Sequence, residues 1–391
     1  MKLEKVREYL KENDIHGWLI YDFQGINPVF KDFMTKDLSF SRRCFLFIDP
    51  DEKVSVKLLA HYVDAGHFKE ESFEIITYRN RQDLKNSIKD ILKGKNSIAM
   101  EYSPDGDIPY VSRIDAGTFE WITHLGMNVV TSADLIQLAL TLWTDENLKT
   151  HLDAARKLET IKNSAFAYIG TQLRHSRHVT EYEIAEYIAE QYRLESLVSS
   201  KLPIVAVNAN SSFPHYAPSE TKSSVIRKND WILMDLFARC KDTNAMYADI
   251  TWVGFAGSNV PEKYKKIFQI IKIARDMAVS CLRERIEKRK PVAGYEVDRV
   301  VRNEIEKAGY GDYFIHRTGH SLGSRELHGN GVCLDDFETH DTRQILPGCA
   351  FSIEPGIYRP EFGVRSEINV FVGKDEVIIT TPPQEDILRI L

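Results

Sequence analysis

The feature that most constrains the fold is a pattern that occurs twice within residues 146–391. Each copy starts with a long amphipathic helical pattern, continues with a shorter helix and ends in β-rich sequence that contains acidic residues. The long helices are predicted near residues 148–173 and 262–286. The repetition predicts a domain of two similar halves, and it is compatible both with an ancient duplication and with chance similarity between amphipathic helices.

The shorter helices carry similar local signals in both copies. In the first copy, Thr180 and Glu183 form a capping-box pattern at the start of a helix that contains Tyr182-Glu183-Ile184. In the second copy, Tyr295-Glu296-Val297 opens a comparable helix, and Gly309 is placed to end it. These matches predict equivalent pairs of helices in the two halves.

The region before the repeat alternates short apolar runs with charged stretches, which is typical of an α/β domain. Strands are predicted at residues 17–21, 44–48, 54–59, 73–78 and 97–100. The chain of 391 residues exceeds what one hydrophobic core usually organises, and helix-start chemistry around Thr144 marks a boundary. We therefore predict a smaller domain at residues 1–145 and a larger one at residues 146–391.

Charge and apolar content exclude several classes of partner. The formal net charge is -6 with acids and bases mixed along the chain, so no basic stripe is available for nucleic acid. The first residues lack the apolar core of a signal peptide, and no run approaches membrane-spanning length. We expect a cytoplasmic protein without nucleic-acid or membrane partners. Its five scattered cysteines are expected to be free thiols: Cys44, Cys240, Cys281, Cys333 and Cys349.

Acidic residues interrupt the apolar strands of both halves. In the first half, residues 231–234 form a strand that runs into Asp235, and a second strand at 248–253 contains Asp249. Strand alternation places Asp249 and Thr251 on one face. This half therefore presents one carboxylate at the end of a strand and another on its partner.

The second half has the same arrangement. Residues 349–353 run into Glu354, and residues 364–370 contain Glu367. Several buried carboxylates repel one another unless cations or protons neutralise them. The four acids together therefore predict a metal centre, whereas any one of them alone is better explained as a strand end or as the partner of a base such as Arg365.

A glycine-rich segment supplies a nitrogen ligand for such a centre. Gly319 and Gly323 flank His320 in the segment 316–323, and glycines allow the close backbone approach that positions an imidazole. A single loop histidine is more often structural, so the prediction depends on the acids. By contrast, His175 and His178 lie among cations before a helix cap, where a solvated basic turn is the expected structure.

At these residues the chain resembles the pita-bread metallopeptidases, peptidase family M24, which include aminopeptidase P, prolidase, methionine aminopeptidase and the non-peptidase creatinase. The similarity covers the whole chain, and its N-terminal domain resembles the aminopeptidase P, prolidase and creatinase branch. The resemblance implies an α+β protein, with a C-terminal pita-bread fold of pseudo-twofold halves after a smaller α/β creatinase-type domain. It is strongest in five segments: 213–216, 248–251, 316–323, 351–358 and 363–367.

The resemblance implies two divalent metal ions per subunit. Asp235 and His320 would each bind one ion, Asp249 and Glu367 would bridge both, and Glu354 would be a terminal ligand. Manganese is the foremost expectation, with cobalt, zinc or iron as alternatives. One departure is the longer turn at residues 236–244, where Asp242 is a competing ligand, although a polar turn favours its solvation.

The resemblance also assigns catalytic and substrate-binding roles. Glu354 would accept the proton of the attacking water. His215 and His328 would contact the substrate or its tetrahedral intermediate, His316 would line the catalytic pocket, and Tyr358 and Arg365 would bind the substrate or orient the residues around it.

The implied function is hydrolysis of the peptide bond preceding proline, by an Xaa-Pro aminopeptidase or an Xaa-Pro dipeptidase (prolidase). The substrate would be a proline-containing peptide or dipeptide, and the resemblance implies a homodimer. Two alternatives remain: hydrolysis of a non-peptide amide or C–N bond, and a catalytically silent binding protein on the same fold. Retention of all five ligand types favours hydrolysis.

Overall fold

The computed structural model describes residues 3–36, 38–242 and 244–391, and the chain divides into two compact units, Met1–Thr141 and Leu142–Leu391. The division lies just before the boundary expected from sequence. Trp143 belongs to the second unit because its backbone N–H donates to the Gly348 carbonyl over 2.7 Å and its ring packs on Phe371. Within the described residues, each helix is too short or too polar to span a membrane.

The first unit is a mixed sheet with helices. Its strands are β1 Trp18–Phe23, β2 Arg43–Ile48, β3 Lys57–His61, β4 Glu74–Tyr78, β5 Ser97–Met100 and β6 Asn128–Thr131. Its α-helices are α1 Leu3–Glu12, α2 Pro28–Asp32, α3 Arg81–Ile91, α4 Ala116–His124 and α5 Ala133–Ile136. The five strands predicted from the sequence are confirmed, and β6 adds one that the apolar pattern did not reveal.

The sheet of the first unit is buried on both faces. Its strand order is β4-β3-β2-β1-β5-β6, in which the pairs β1–β2 and β2–β3 are antiparallel and the pairs β3–β4, β1–β5 and β5–β6 are parallel. Trp18 and Ile20 enter one hydrophobic cluster, whereas Leu19 and Tyr21 enter another. Because successive side chains of a strand point to opposite faces, the continuous apolar sequence of β1 fits this two-sided burial.

The second unit pairs long and short helices twice. Its helices are α6 Asp145–Arg174, α7 Glu181–Leu194, α8 Glu262–Glu287 and α9 Gly294–Lys307. The capping box of α7 is present, because Thr180 Oγ1 accepts from Glu183 N and Glu183 Oε2 accepts from Thr180 N. Gly309 follows α9 with φ +85°, a conformation that favours glycine. The helix pattern predicted for the two halves is confirmed.

The strands of the second unit are β7 Leu197–Val198, β8 Ile204–Val207, β9 Trp231–Cys240, β10 Ala248–Phe255, β11 Ala350–Ile353, β12 Gly356–Arg359, β13 Phe362–Arg365, β14 Ile368–Val372, β15 Val377–Ile379 and β16 Leu388–Arg389. The central strand β9 pairs with β7, β8 and β10, and β10 pairs with β16. In the second half β14 lies between β11 and β15, while β12 and β13 form a separate hairpin.

Two strand predictions differ from the structure. Asp235 was expected at the end of a strand, but β9 continues to Cys240. Its residues pair with β10 as far as Ala238, opposite Ala248, and Arg239 and Cys240 pair with β7. The strand expected over residues 364–370 is broken at Ser366 and Glu367 into β13 and β14. The break allows one stretch of chain to pair with β12 and then with β11.

Lys162 is an unusual residue of the second unit, because this lysine on α6 is only 2% exposed. Its ammonium nitrogen lies 3.2 Å from the centre of the Trp252 ring on β10. Burial lowers the pKa of Lys162 from 10.5 to about 8, opposed by the nearby Glu159 carboxylate. The apolar surroundings therefore favour the neutral amine in the folded protein.

We expect the Lys162→Met variant to remove a pH dependence of stability. Between pH 8 and 10.5 the unfolded chain binds a proton that the folded protein has released, so the free energy of unfolding of the wild type rises with pH. The variant should be more stable below pH 8 by about 1–3 kcal/mol, and this difference should shrink toward pH 10.5. Denaturant titrations at several pH values measure it, and a difference that stays constant with pH would contradict the expectation.

Candidate metal centre

The hairpin of β9 and β10 brings two of the predicted acids to one face. Thr251 lies directly opposite Asp235 in the antiparallel register, and Asp249 is two residues before Thr251 on the same face. Asp235 is 9% exposed, Asp249 4% and Thr251 not at all. Residues of the second half cover this face, because Asn369 Oδ1 accepts from Asp249 N over 2.8 Å and Arg365 Nε donates to Thr251 Oγ1 over 2.9 Å.

The second pair of acids lies where β11 ends and β14 begins. Ile353 pairs with Ile368, so Glu354 and Glu367, the residues just beyond that pair, leave the sheet at the same end. Thr251 Oγ1 donates to Glu367 Oε2 over 2.7 Å, and the Glu367 N–H donates to the Thr251 carbonyl over 3.3 Å. Thr251 therefore joins the acid-bearing strands of the two halves.

His320 reaches the acids from the glycine-rich segment. Its Nε2 lies 3.3 Å from Asp249 Oδ2 and 3.5 Å from Glu354 Oε1. Ser352 supports both sides of this contact, because its hydroxyl accepts from His320 N over 3.0 Å and donates to Glu354 Oε1 over 3.1 Å. Ser352 was not predicted as a site residue, although alternation along β11 places it on the face of Glu354.

Gly319 makes the approach of His320 to β11 possible. A Cβ atom built on Gly319 would lie 1.9 Å from the Ser352 carbonyl oxygen, which is a backbone atom that cannot rotate away. The adjacent backbones must therefore separate if any side chain is introduced at this position.

We expect Gly319→Ala to lower the free energy of unfolding by about 1–3 kcal/mol or more and to displace His320. The matched control is Gly66→Ala, because a Cβ at Gly66 meets nothing within 4 Å. Chemical denaturation of both variants provides the comparison. Equal stability of the two variants would show that the close approach is not required.

The ligand atoms form a compact cluster whose hydrogen bonding is incomplete. One atom each from Asp249, His320 and Glu367 lies within 4.8 Å of the others. Three buried carboxylate oxygens, Asp235 Oδ1, Asp249 Oδ1 and Glu367 Oε1, accept no hydrogen bond from the residues that the structure describes. Buried acceptors without donors are costly, and a divalent cation satisfies several at once. The donor set fits metal ions of the type that binds carboxylates and imidazole.

The pKa shifts of the clustered carboxyl groups also indicate that cations would stabilise their charged forms. Burial raises the pKa of Asp249 and Glu367 well above the ordinary carboxyl value, and repulsion from neighbouring carboxylates raises both further. The pKa of Asp235 is raised by burial as well, although Arg365 opposes the effect. For Glu354, burial is outweighed by attraction to His320, His316 and arginines, so its pKa lies below the ordinary value.

Arg365 is a buried cation at the edge of the cluster. It is 3% exposed, its Nη2 lies 2.5 Å from Asp235 Oδ2, and its Nε donates to Thr251 Oγ1 over 2.9 Å. Its Nη1 donates to the Tyr358 hydroxyl over 3.0 Å. Through these contacts Arg365 can hold Asp235 and Tyr358 in place. This agrees with the prediction that Arg365 orients the residues around the substrate.

The predicted catalytic histidines surround the same cluster. His316 Nε2 lies 2.8 Å from the Tyr358 hydroxyl, and burial lowers the pKa of His316 to about 4. The ring of His328 lies 4.1 Å from that of His320, and desolvation followed by the charges of His320 and Arg317 lowers the pKa of His328 to about 3. Both imidazoles are therefore neutral at neutral pH.

His215 lies in an exposed loop that a buried carboxylate organises. Glu181, fully buried at the start of α7, accepts from the Tyr216 hydroxyl over 2.7 Å and from the backbone N–H groups of Val207 and Ser224. The Asn210 side chain adds two more bonds to Glu181. His215 itself is exposed, and it lies near enough to His316 and His328 to contribute to the lowering of the pKa of both.

The alternative ligands considered from the sequence lie elsewhere. Asp242 is exposed in the turn after β9, where Oδ1 accepts from the Asn244 N–H over 3.0 Å. His175 follows the end of α6, with Nδ1 2.8 Å from the Thr171 carbonyl. The five cysteines are free, as expected.

Fold and site together define a protein of two compact units with a carboxylate-rich candidate metal centre between two similar halves of its larger unit. The chain belongs to metallopeptidase family M24, whose family model matches residues 153–374. It is therefore a peptidase of that metal-dependent family, and the predicted pita-bread fold of the aminopeptidase P and prolidase branch is confirmed.

Individual relatives cover different shares of the chain. The uncharacterized peptidase YqhT of Bacillus subtilis is 26% identical over 398 residues, which span 99% of this chain and 100% of that protein. The Xaa-Pro dipeptidase of Lactobacillus helveticus is 32% identical over 219 residues, 54% of this chain and 53% of that protein. The crystal structure of dipeptidase PepE from Mycobacterium ulcerans has a TM-score of 0.74 at 18% identity, covering 99% of this chain and 96% of that one.

Proposed function

We propose that the protein hydrolyses the peptide bond preceding proline, using two divalent metal ions held by Asp235, Asp249, His320, Glu354 and Glu367. The observation that carries the proposal is the buried cluster of acids and one imidazole in which three carboxylate oxygens have no hydrogen-bond donor among the described residues. One ligand atom each of Asp249, Glu367 and His320 lies within 4.8 Å of the others, so these three residues would together hold the ions. Manganese is the ion that we expect.

The metal ions, when bound, would lower the pKa of the attacking water and polarise the substrate carbonyl. Glu354 is the ligand carboxylate with the most exposed side chain, at 16%, so its free edge can accept the proton from water. Ser352 holds its other oxygen, Oε1. This arrangement leaves Oε2, which lies 3.9 Å from Arg365 Nε, as the oxygen that we propose accepts the proton.

The remaining site residues orient neighbouring side chains or contact the substrate. Arg365 holds the Tyr358 hydroxyl, which in turn holds His316 at the edge of the cluster. His215 and His328 are both exposed, and their imidazole N–H groups can donate hydrogen bonds to the substrate or to the oxygen of its tetrahedral intermediate. We assign them substrate contacts for this reason, and we assign residues 1–145 and 146–391 as the N-terminal and catalytic domains.

The specificity for proline rests on relatives rather than on a contact within the chain. The Lactobacillus helveticus relative is an Xaa-Pro dipeptidase, and its match covers about half of both proteins. The test is hydrolysis by manganese-loaded protein of an Xaa-Pro dipeptide, a longer peptide with proline in second position, and the same two peptides with alanine in place of proline. Cleavage of the first two but not of the alanine peptides supports the proposal.

The outcomes separate the alternatives. Cleavage of the dipeptide alone indicates a dipeptidase, and release of the N-terminal residue from the longer peptide indicates an aminopeptidase. Turnover of a metabolite library without cleavage of either proline peptide would indicate a different amide or C–N bond. A metal-loaded protein that hydrolyses nothing would favour the silent binding protein. We also propose that the protein is cytoplasmic and forms a homodimer. Light scattering, which measures the mass in solution, tests the dimer.

A further inference from the structure

A buried ion pair on α9 contacts the segment that carries His316 and His320. Asp298 is fully buried, and its Oδ2 accepts from Arg302 Nε over 2.9 Å. Its Oδ1 also accepts from Arg302 Nη2 over 3.2 Å. The pair is therefore bidentate, a geometry that fixes the plane of the guanidinium.

Both partners also form hydrogen bonds with residues 314–318, the segment that carries His316 and leads to His320. Arg302 donates to the Phe314 carbonyl over 3.0 Å and to the His316 carbonyl over 2.9 Å. Asp298 Oδ1 accepts from the backbone N–H and the hydroxyl of Thr318, over 2.9 and 2.7 Å. The pair thus binds alternate residues along the backbone that leads to His320.

The opposite side of this segment is bound to the strand that leads to Glu354. The Glu354 N–H donates to the Thr318 carbonyl over 2.8 Å, and the Ser352 N–H donates to the His320 carbonyl over 2.9 Å. Rings also enclose the guanidinium of Arg302, which lies 4.3 Å from the Phe314 ring centre and 4.4 Å from that of Phe337. The ion pair therefore sits where helix and site segment meet.

We propose that Asp298 and Arg302 are positioning residues that set the placement of His320 as a metal ligand and of His316 beside it. The proposal rests on the proposed function for the metal site. The pair bonds the backbone of Phe314, His316 and Thr318, and the same stretch of backbone carries His316 and leads to His320, so its geometry sets where both imidazoles lie. Residues that orient ligands affect metal affinity or activity by about 10- to 100-fold.

The same helix supplies a matched control. Arg299, also on α9, forms an ion pair with Asp336, which lies outside residues 314–320, and the Arg299 side chain is 56% exposed. Arg302→Lys keeps the charge and removes the forked geometry, and Arg299→Lys makes the same change outside the segment. Thermal unfolding of both variants establishes that each is folded.

Two measurements test the proposal on the full chain: manganese affinity by titration calorimetry, and amide hydrogen exchange over residues 314–322. We expect Arg302→Lys to weaken manganese binding by about 10- to 100-fold and to speed exchange in that segment, while Arg299→Lys changes affinity by less than about twofold. Wild-type affinity in folded Arg302→Lys, or equal losses in both variants, would overturn the proposal. Wild-type protein that binds manganese but cleaves no proline peptide refutes the proposed substrate alone, and wild-type protein that binds no manganese refutes both proposals.

Discussion

Asp249→Asn is expected to lower kcat/KM by at least about 1,000-fold while leaving the metal-free protein as stable as the wild type or more stable. The activity falls because a ligand oxygen is lost. Stability does not fall because burial and the carboxylates of Asp235 and Glu354 already disfavour a charge on Asp249, so the neutral amide removes a repulsion. Kinetic assays and denaturation of the metal-free forms measure the two effects.

The control for this prediction is Asp242→Asn, the same substitution in the exposed turn that follows β9. We expect wild-type activity and metal content in this variant, because Asp242 is exposed and its Oδ1 accepts a hydrogen bond from the Asn244 N–H. If Asp242→Asn lost the metal and Asp249→Asn retained it, Asp242 and not Asp249 would be the metal ligand. Strong destabilisation of metal-free Asp249→Asn would contradict the repulsion that we infer.

Removal of the metal is expected to lower the thermal stability of the larger unit substantially. A ligand at 1,000 times its Kd stabilises the folded state by about 4 kcal/mol, which corresponds to a rise in Tm of about 10 °C in a domain of this size. The physical origin is the same cluster, since cations neutralise carboxylates whose buried oxygens have no donor among the described residues. Calorimetry of chelator-treated protein before and after manganese addition measures the shift.

The Asp249→Asn variant provides the comparison for metal removal. Its Tm should respond to manganese far less than that of the wild type, because the site has lost a ligand. An equal rise in both proteins would place the stabilising ion elsewhere. No rise in the wild type would show that the cluster tolerates its charges without a cation.

Much of the fold follows from local sequence signals. The helices were predicted from amphipathic periodicity and capping residues, such as Thr180 with Glu183, and these signals are local. The end of β9 was predicted wrongly because the acid at Asp235 resembled a strand end. Pairing with β10 continues the strand to Ala238, and pairing with β7 continues it to Cys240, so the strand end depends on residues ten or more positions away.

The candidate site was predictable where local sequence motifs mark its residues. Asp249, His320 and Glu367 belong to recognisable motifs, and the structure brings them together. Asp298 and Arg302 gave no such signal, because four-residue spacing on a helix is typical of a solvated surface pair. Only the packing of α9 against the histidine segment buries Asp298 completely, and sequence periodicity does not report that contact.

The most direct test of the metal centre is elemental analysis of the purified chain after loading with manganese and removal of unbound ion. We expect about two ions per chain in the wild type and a clear loss in Asp249→Asn. Metal content near zero in the wild type, or an unchanged content in the variant, would contradict the assignment of these buried acids and His320 as the metal site.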